Sequence, residues 1–197
     1  MRKIPSLFVR EFGVANATGV MATDLVTPGC EWVMRGEGRA TVKVDGTACM
    51  VREGKLYKRF DRKRGKSAPE GWEACEDAPD PITGHWPGWV PVGDGPADQW
   101  HRVAFDYLRD TTEDLEDGTY ELAGPKIQGN PHEMRAHRMI LHGKIAAKPD
   151  PELSFSGIRN WLTAGVQEGI VWHHPDGRMA KIKRTDFGLE WPIKDDE

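Results

Sequence analysis

The sequence predicts an α+β fold of mostly antiparallel strands flanked by a few helices. Short alternating apolar and polar runs are separated by Gly-containing turns, hairpin signals recur along the chain, and regular strand-helix alternation is missing. Between residues 30 and 60, ATVKVDGTACMV and KLYKRF have period-two patterning with β-branched residues and are split by the turn REGK, which predicts a strand meander. Residues 61–100 are rich in Pro and Gly yet carry Trp72, Trp86, Trp89 and Trp100, so they are expected to be an ordered, loop-rich insertion rather than a linker. QWHRVAFDYL resumes apolar periodicity, TTEDLEDG is an acidic turn, and TYELAGPKIQG has strand character up to Asn130-Pro131.

SFSGIRNWLTAG places Ile158, Trp161 and Leu162 on one helical face, with Ser156 as a candidate N-cap and Gly165 as the stop. EGIVWHH and RMAKIKR close the chain as two strands joined by Pro175-Asp176-Gly177. With 38% hydrophobic and 29% charged residues in 197 positions, the chain is expected to fold as a single domain over 1–197 that contains the 61–100 insertion.

Composition excludes several classes of function. Cys30, Cys49 and Cys75 form no CxxC pair, so neither a zinc knuckle nor a disulfide framework is indicated, and a reduced, cytoplasmic setting is expected. No run of about 18 apolar residues occurs, so no membrane association is expected. A net charge of -4 argues against nonspecific coating of nucleic acid. Locally the balance differs: Arg52 to Lys66 holds eight Lys or Arg against Glu53 and Asp61, a net of +6 in 15 positions, enough to grip a few phosphates.

The segment with most chemical content is Lys43-Val44-Asp45-Gly46-Thr47. On a strand, residues 43 and 45 point to one face, which would bring an ammonium and a carboxylate into one pocket, and Gly46 permits a tight turn. KVDG alone is most often the edge of an exposed hairpin. Three later segments add to it in a fixed order: Tyr120-Glu121-Leu122, with one acid between apolar neighbours; Glu168-Gly169-Ile170-Val171-Trp172, with an acid leading an apolar strand; and Lys181-Ile182-Lys183, with two lysines on one strand face.

Together and in this order, these elements resemble the covalent nucleotidyltransferase superfamily of ATP-dependent DNA ligases, RNA ligases and messenger-RNA capping enzymes. In that superfamily KxDG is the first motif, a Glu-bearing strand the third, EGxV the fourth and KxK the fifth. The resemblance spans roughly residues 40–190. The wording TVKVDGT, YELAGPKIQGNPH, EGIVWHHPDG and AKIKRTDFG is most similar to the small 5'-to-3' RNA ligase family with vertebrate, viral and bacterial members. DNA ligases usually carry an acid two positions before the lysine, where this chain has Thr41.

The resemblance implies an adenylation fold without a C-terminal oligonucleotide-binding barrel, and an ATP-dependent RNA ligase acting as a monomer on RNA 5'-phosphate and 3'-hydroxyl ends. Lys43 is then the nucleophile that takes AMP. A lysine attacks only as the neutral amine and ordinarily titrates near 10.4, so cations and desolvation are expected to lower its proton affinity. By resemblance Lys181 and Lys183 contact the α-phosphate, Glu121 binds ribose hydroxyls or assists metal binding, and Asp45 and Gly46 shape the loop around Lys43. Glu168 is the expected ligand of Mg²⁺ or Mn²⁺, which favours carboxylate oxygen. Arg59 is the expected phosphate contact, with Lys58 and Arg62 as close rivals. His142 lies where related ligases place an adenine-stacking group.

Other readings differ in chemistry. His132, His137 and His142 recur every five residues and His173-His174 is a pair, but neither spacing converges two ligands on one helix or strand face, so a zinc site is not expected. The four insertion tryptophans can stack RNA bases or form the insertion's own small core, and the core reading is favoured. A DNA ligase, a capping-type enzyme, or a non-catalytic nucleotide- or RNA-binding protein on the same fold are the alternatives in function.

Overall fold

The structure, a computed structural model, describes residues 2–16 and 18–193. In chain order its elements are β1 (Phe8–Phe12), β2 (Val20–Val26), α1 (Glu31–Met34), β3 (Arg39–Lys43), β4 (Thr47–Arg52), β5 (Lys55–Arg62), β6 (Glu73–Ala74), β7 (Trp86–Pro91), α2 (Gln99–Thr111), β8 (Gly118–Ala123), β9 (Arg138–Leu141), α3 (Phe155–Ala164), β10 (Gly169–His173) and β11 (Met179–Lys183). All the strand pairs of its sheets are antiparallel, so the α+β expectation holds. The chain divides into two compact units: a mid-chain unit of Asp45–His142 joined by Arg2 and Lys3, and a two-segment unit of Ile4–Val44 with the chain from Gly143 onward.

In the two-segment unit, β10 lies between β3 and β11, and β1 and β2 form a separate hairpin that no sequence signal had indicated. The register pairs Ile170 with Val42 and Ile182, and Trp172 with Ala40 and Ala180, so one face of the three-stranded sheet is apolar. Its buried residues join Leu7, Phe8, Trp32, Val33, Ile158, Leu162 and Phe187 in one core. The last helix, α3, contributes Ile158 and Leu162 at i and i+4, the face expected from the sequence, and Gly165 ends it. Its cap is Ser154 rather than Ser156. Ser154 is extended and its hydroxyl accepts the Gly157 N–H at 2.9 Å, whereas Ser156 already lies inside the helix.

The mid-chain unit is a six-stranded sheet in the order β6-β7-β5-β4-β8-β9. Cys49, Val51, Leu56, Tyr120, Leu122 and Met139 fall on one face by register, and α2 covers them with Ala104 and Phe105. The 61–100 insertion is part of this sheet, because β7 pairs with β5 and β6 with β7. Its tryptophans are packing groups: Trp89 is buried, Trp72 and Trp86 meet edge to face at 5.5 Å, and Trp100 stacks on His137 at 4.4 Å. Among the described residues no helix is long and apolar enough to cross a membrane.

Candidate active site

The polar face of the β3-β10-β11 sheet gathers the charged residues of three motifs. Lys43 and Lys183 are both register partners of Gly169, and Thr41 and Lys181 are both partners of Val171, so Lys43, Lys181 and Lys183 project from the face opposite the apolar core. Glu168, immediately before β10, is 2% exposed. Its Oε2 accepts from Lys43 Nζ, and its Oε1 lies 2.9 Å from Lys183 Nζ. One buried carboxylate therefore holds two ammonium groups from the strands on either side of its own.

The fold lowers the proton affinity of Lys181. Burial, then the charges of Lys183 and Lys43, pull its pKa down to about 8, with Glu168 acting in the opposite sense. Thr41, which stands where DNA ligases usually have an acid, is fully buried; its hydroxyl donates to the Val171 carbonyl at 3.0 Å and lies 3.0 Å from His173 Nε2. Since the single hydroxyl proton goes to the carbonyl, His173 Nε2 is the donor in the second bond.

Gly169 separates the two lysines for a steric reason. A Cβ there would sit 2.2 Å from the Ile182 carbonyl oxygen, inside the β10-β11 ladder. Gly169→Ala is expected to push β11 off β10, to cost about 1–3 kcal/mol of stability and to misplace Lys183; a thermal melt together with an assay of AMP transfer checks both effects.

Alternation does not carry from Lys43 to Asp45 as the sequence had suggested, because β3 ends at Lys43 and Asp45 lies outside any strand. Lys43 Nζ is ion-paired with Glu168. Asp45 belongs to the mid-chain unit, where its backbone N–H donates to His132 Nε2 at 2.8 Å. Next to it, Gly46 is required by close approach rather than by a left-handed turn, since a Cβ would lie 2.2 Å from the Leu122 carbonyl oxygen and 3.0 Å from Glu121 Cγ.

The mid-chain sheet has its own polar face. Glu121 pairs with Ala48 and Ile140, Thr119 with Met50, Met50 with Tyr57 and Arg59 with Trp89, so Glu121, Thr119 and Arg59 project from the side opposite the α2-covered core. Lys58 and Arg62 alternate to the other side. Lys58 is bound to buried Asp98, and the Arg62 guanidinium lies 4.6 Å from the Trp86 ring centroid. Register thus separates Arg59 from both rivals. Arg59 Nε reaches Asp61 at 2.5 Å, and its guanidinium lies 6.0 Å from the Trp89 ring centroid.

Each histidine of the five-residue series has a separate partner. His142 is bonded edge-on, Nε2 to Glu121 Oε2 at 2.8 Å and Nδ1 to Thr119 Oγ1 at 2.9 Å, so it orients Glu121. His132 accepts from Asp45, and His137 stacks on Trp100 and accepts the Lys126 N–H at 3.3 Å. The sequence marked His132 only as one of that series, and its bond to the Asp45 backbone had no sequence signal. Among the described residues no group of three or more His, Cys, Asp and Glu could hold a metal ion.

The sequence model of the RNA ligase 1 family matches residues 108–197, a span that contains Glu121, His142, Glu168, Lys181 and Lys183. RNA ligase 1 of Danio rerio is 30% identical in an alignment that covers 89% of this chain and 75% of the relative. The chain belongs to the RNA ligase 1 family. RNA ligase 1 of Mus musculus is 28% identical over 98% of this chain and 82% of its own, and that of Pongo abelii is 28% identical over 98% and 83%. Membership agrees with the order of motifs in the sequence, and Lys43, outside the span of the family model, falls within a chain that the full-length relatives cover almost completely.

The resemblance in the sequence implied a divalent cation beside ATP, with Glu168 as its ligand. The carboxylate is of the right chemical type, but both of its oxygens are taken up by ammonium groups. It is one ligand, not a preformed cage. Mg²⁺ commonly uses one or two carboxylates and completes its shell with water and phosphate oxygens, and that donor set fits Glu168 once one lysine turns to phosphate.

Proposed function

We propose that this chain is an ATP-dependent RNA ligase on the nucleotidyltransferase fold, working through a lysyl-AMP intermediate on Lys43. The observation that carries the reading is the joint placement of Lys43, Lys181 and Lys183 on one sheet face around buried Glu168, in a member of the RNA ligase 1 family. Deprotonated Lys43 Nζ attacks the α-phosphorus of ATP; the nitrogen-phosphorus bond forms as the bond to the β-phosphate oxygen breaks, and pyrophosphate leaves. An oxygen of an RNA 5'-phosphate then takes the adenylate from Lys43. Finally a 3'-hydroxyl attacks that 5'-phosphate, which forms the phosphodiester and releases AMP.

Lys181 and Lys183 offset the charge that builds on the transferring phosphoryl group, and the sheet already places both on the face that carries Lys43. Arg59 serves as a phosphate contact and Glu121 as a ribose contact, and His142, bonded edge-on to Glu121, orients it and lines the nucleotide pocket. Glu168 is the proposed ligand of Mg²⁺ or Mn²⁺, which when bound supplies positive charge to phosphate oxygens. The chain should take label from α-labelled ATP and discharge it onto a 5'-phosphorylated RNA strand. Label from GTP alone would favour capping chemistry, and label that only DNA discharges would overturn the RNA assignment.

A further inference from the structure

The basic stretch that stood out in the sequence ends in the turn Arg62-Lys63-Arg64-Gly65-Lys66, and the structure shows why its charge remains available. Many of the chain's other surface cations are neutralised locally: Arg35 by Glu37, Arg52 by Glu73, Arg59 by Asp61, Arg109 by Asp106 and Arg178 by Asp176. Lys63, Arg64 and Lys66 are exposed, and among the described residues none is ion-paired with a carboxylate. Three acids of the same strand and of the insertion are paired with other cations, Asp61 with Arg59, Glu73 with Arg52 and Asp80 with Lys3.

The turn is also held in place. Its base, Arg62, lies over the rings of both Trp72 and Trp86, at 5.4 and 4.6 Å, and is the cross-strand partner of Trp86. Both indole N–H groups are occupied, Trp72 donating to the Phe60 carbonyl at 3.2 Å and Trp86 to the Glu76 carbonyl at 2.7 Å, so the rings are fixed. The turn is closed by Lys66 N–H to Lys63 C=O at 3.1 Å, with Gly65 at φ 72°. The Arg64 side chain runs over Gly84, where even a Cβ would come within 2.7 Å of Nε. Such a platform presents several cations without much ordering cost on binding.

We propose that this turn is an RNA-docking surface that grips the phosphates of a single strand by charge. The proposal rests on the RNA ligase reading and adds to it a substrate contact on the mid-chain unit. RNA is the partner that fits: closely spaced, uncompensated cations match a ligand with a charge on every repeat. Base stacking on the neighbouring tryptophans is not part of the grip, because Trp72 and Trp86 pack on each other and on Arg62.

The test uses the full chain with Lys63, Arg64 and Lys66 all replaced by Ala, and reads fluorescence anisotropy of a 5'-phosphorylated single-stranded RNA across a salt series. Affinity is expected to fall by about 10-fold or more and the log-log salt slope to shrink by about 2, while self-labelling with ATP is unchanged. A charge-preserving variant, K63R with R64K and K66R, should bind as the wild type does. Unchanged RNA affinity and slope in the triple-Ala variant would overturn the surface, as would equal loss in the charge-preserving one. Loss of polyglutamate binding with RNA binding intact would assign the turn to an acidic protein and also overturn it. Failure of the wild-type chain to take label, by contrast, would count against the ligase reading and leave the RNA titration to judge the turn.

Discussion

Glu168→Gln should reduce AMP transfer from ATP to the protein by at least about 100-fold and lower thermal stability as well. Glutamine keeps the shape of the side chain but removes the charge that holds Lys43 on one oxygen and Lys183 on the other. An amide offers one acceptor and turns its NH₂ donors toward the second ammonium, so one lysine is repelled and the nucleophile loses its fixed position. Breaking a fully buried pair costs about 3–5 kcal/mol. The two lysine side chains here are 19% and 36% exposed, so water recovers part of that, and a loss of about 1–3 kcal/mol is expected. Combining Glu168→Gln with Lys183→Met should destabilise less than the two single changes added together, because the second removes a cation the first has stranded. Wild-type labelling and an unchanged melt in Glu168→Gln would contradict this arrangement.

Lys181→Met should do the opposite to stability and the same to chemistry. In the folded chain the Lys181 pKa is about 8, below the ordinary 10.5, because burial and two neighbouring lysines disfavour its charge. Between those values the unfolded chain binds more protons than the folded one, so wild-type stability contains a contribution that rises with pH across that window. Below it, the folded state carries the full cost of a charged Lys181. Methionine, similar in length and uncharged, removes that cost, and the backbone bonds of residue 181 to Pro5 and Leu7 do not depend on the side chain. The variant should therefore be about 1–3 kcal/mol more stable at pH 7, with the gap closing between pH 8 and 10.5, yet transfer AMP far more slowly. Denaturant melts of both proteins across this range check it; a less stable variant at pH 7 with the wild-type pH slope would contradict it.

What the sequence revealed depended on whether the signal was local. The pattern of Lys181-Ile182-Lys183 places two lysines on one face whichever strand lies beside them, and β11 has them there. The same holds for Ile158 and Leu162 on α3. The pairing of β3 with β10 joins residues more than a hundred positions apart, so the ion pair of Lys43 with Glu168 had no local signature. The alternation read from Lys43 to Asp45 stops at Lys43, the last paired residue of its strand. Lys58, Arg59 and Arg62 were equivalent as letters and became distinct only by register, which sends Arg59 to the Glu121 side and the others to the α2 side. The hairpin of β1 and β2 left no clear alternation, with an irregular register between Phe8 and Arg10 and much of its surface exposed.

The identity of the nucleophile is open to one direct measurement: incubate the chain with ATP and a divalent cation, digest it, and locate the adenylate by peptide mass spectrometry, with Lys43→Ala in parallel. The expected result is a single adenylate on the peptide at Lys43 and none on the variant. An adenylate on Lys181 or Lys183, or normal labelling of Lys43→Ala, would contradict the assignment.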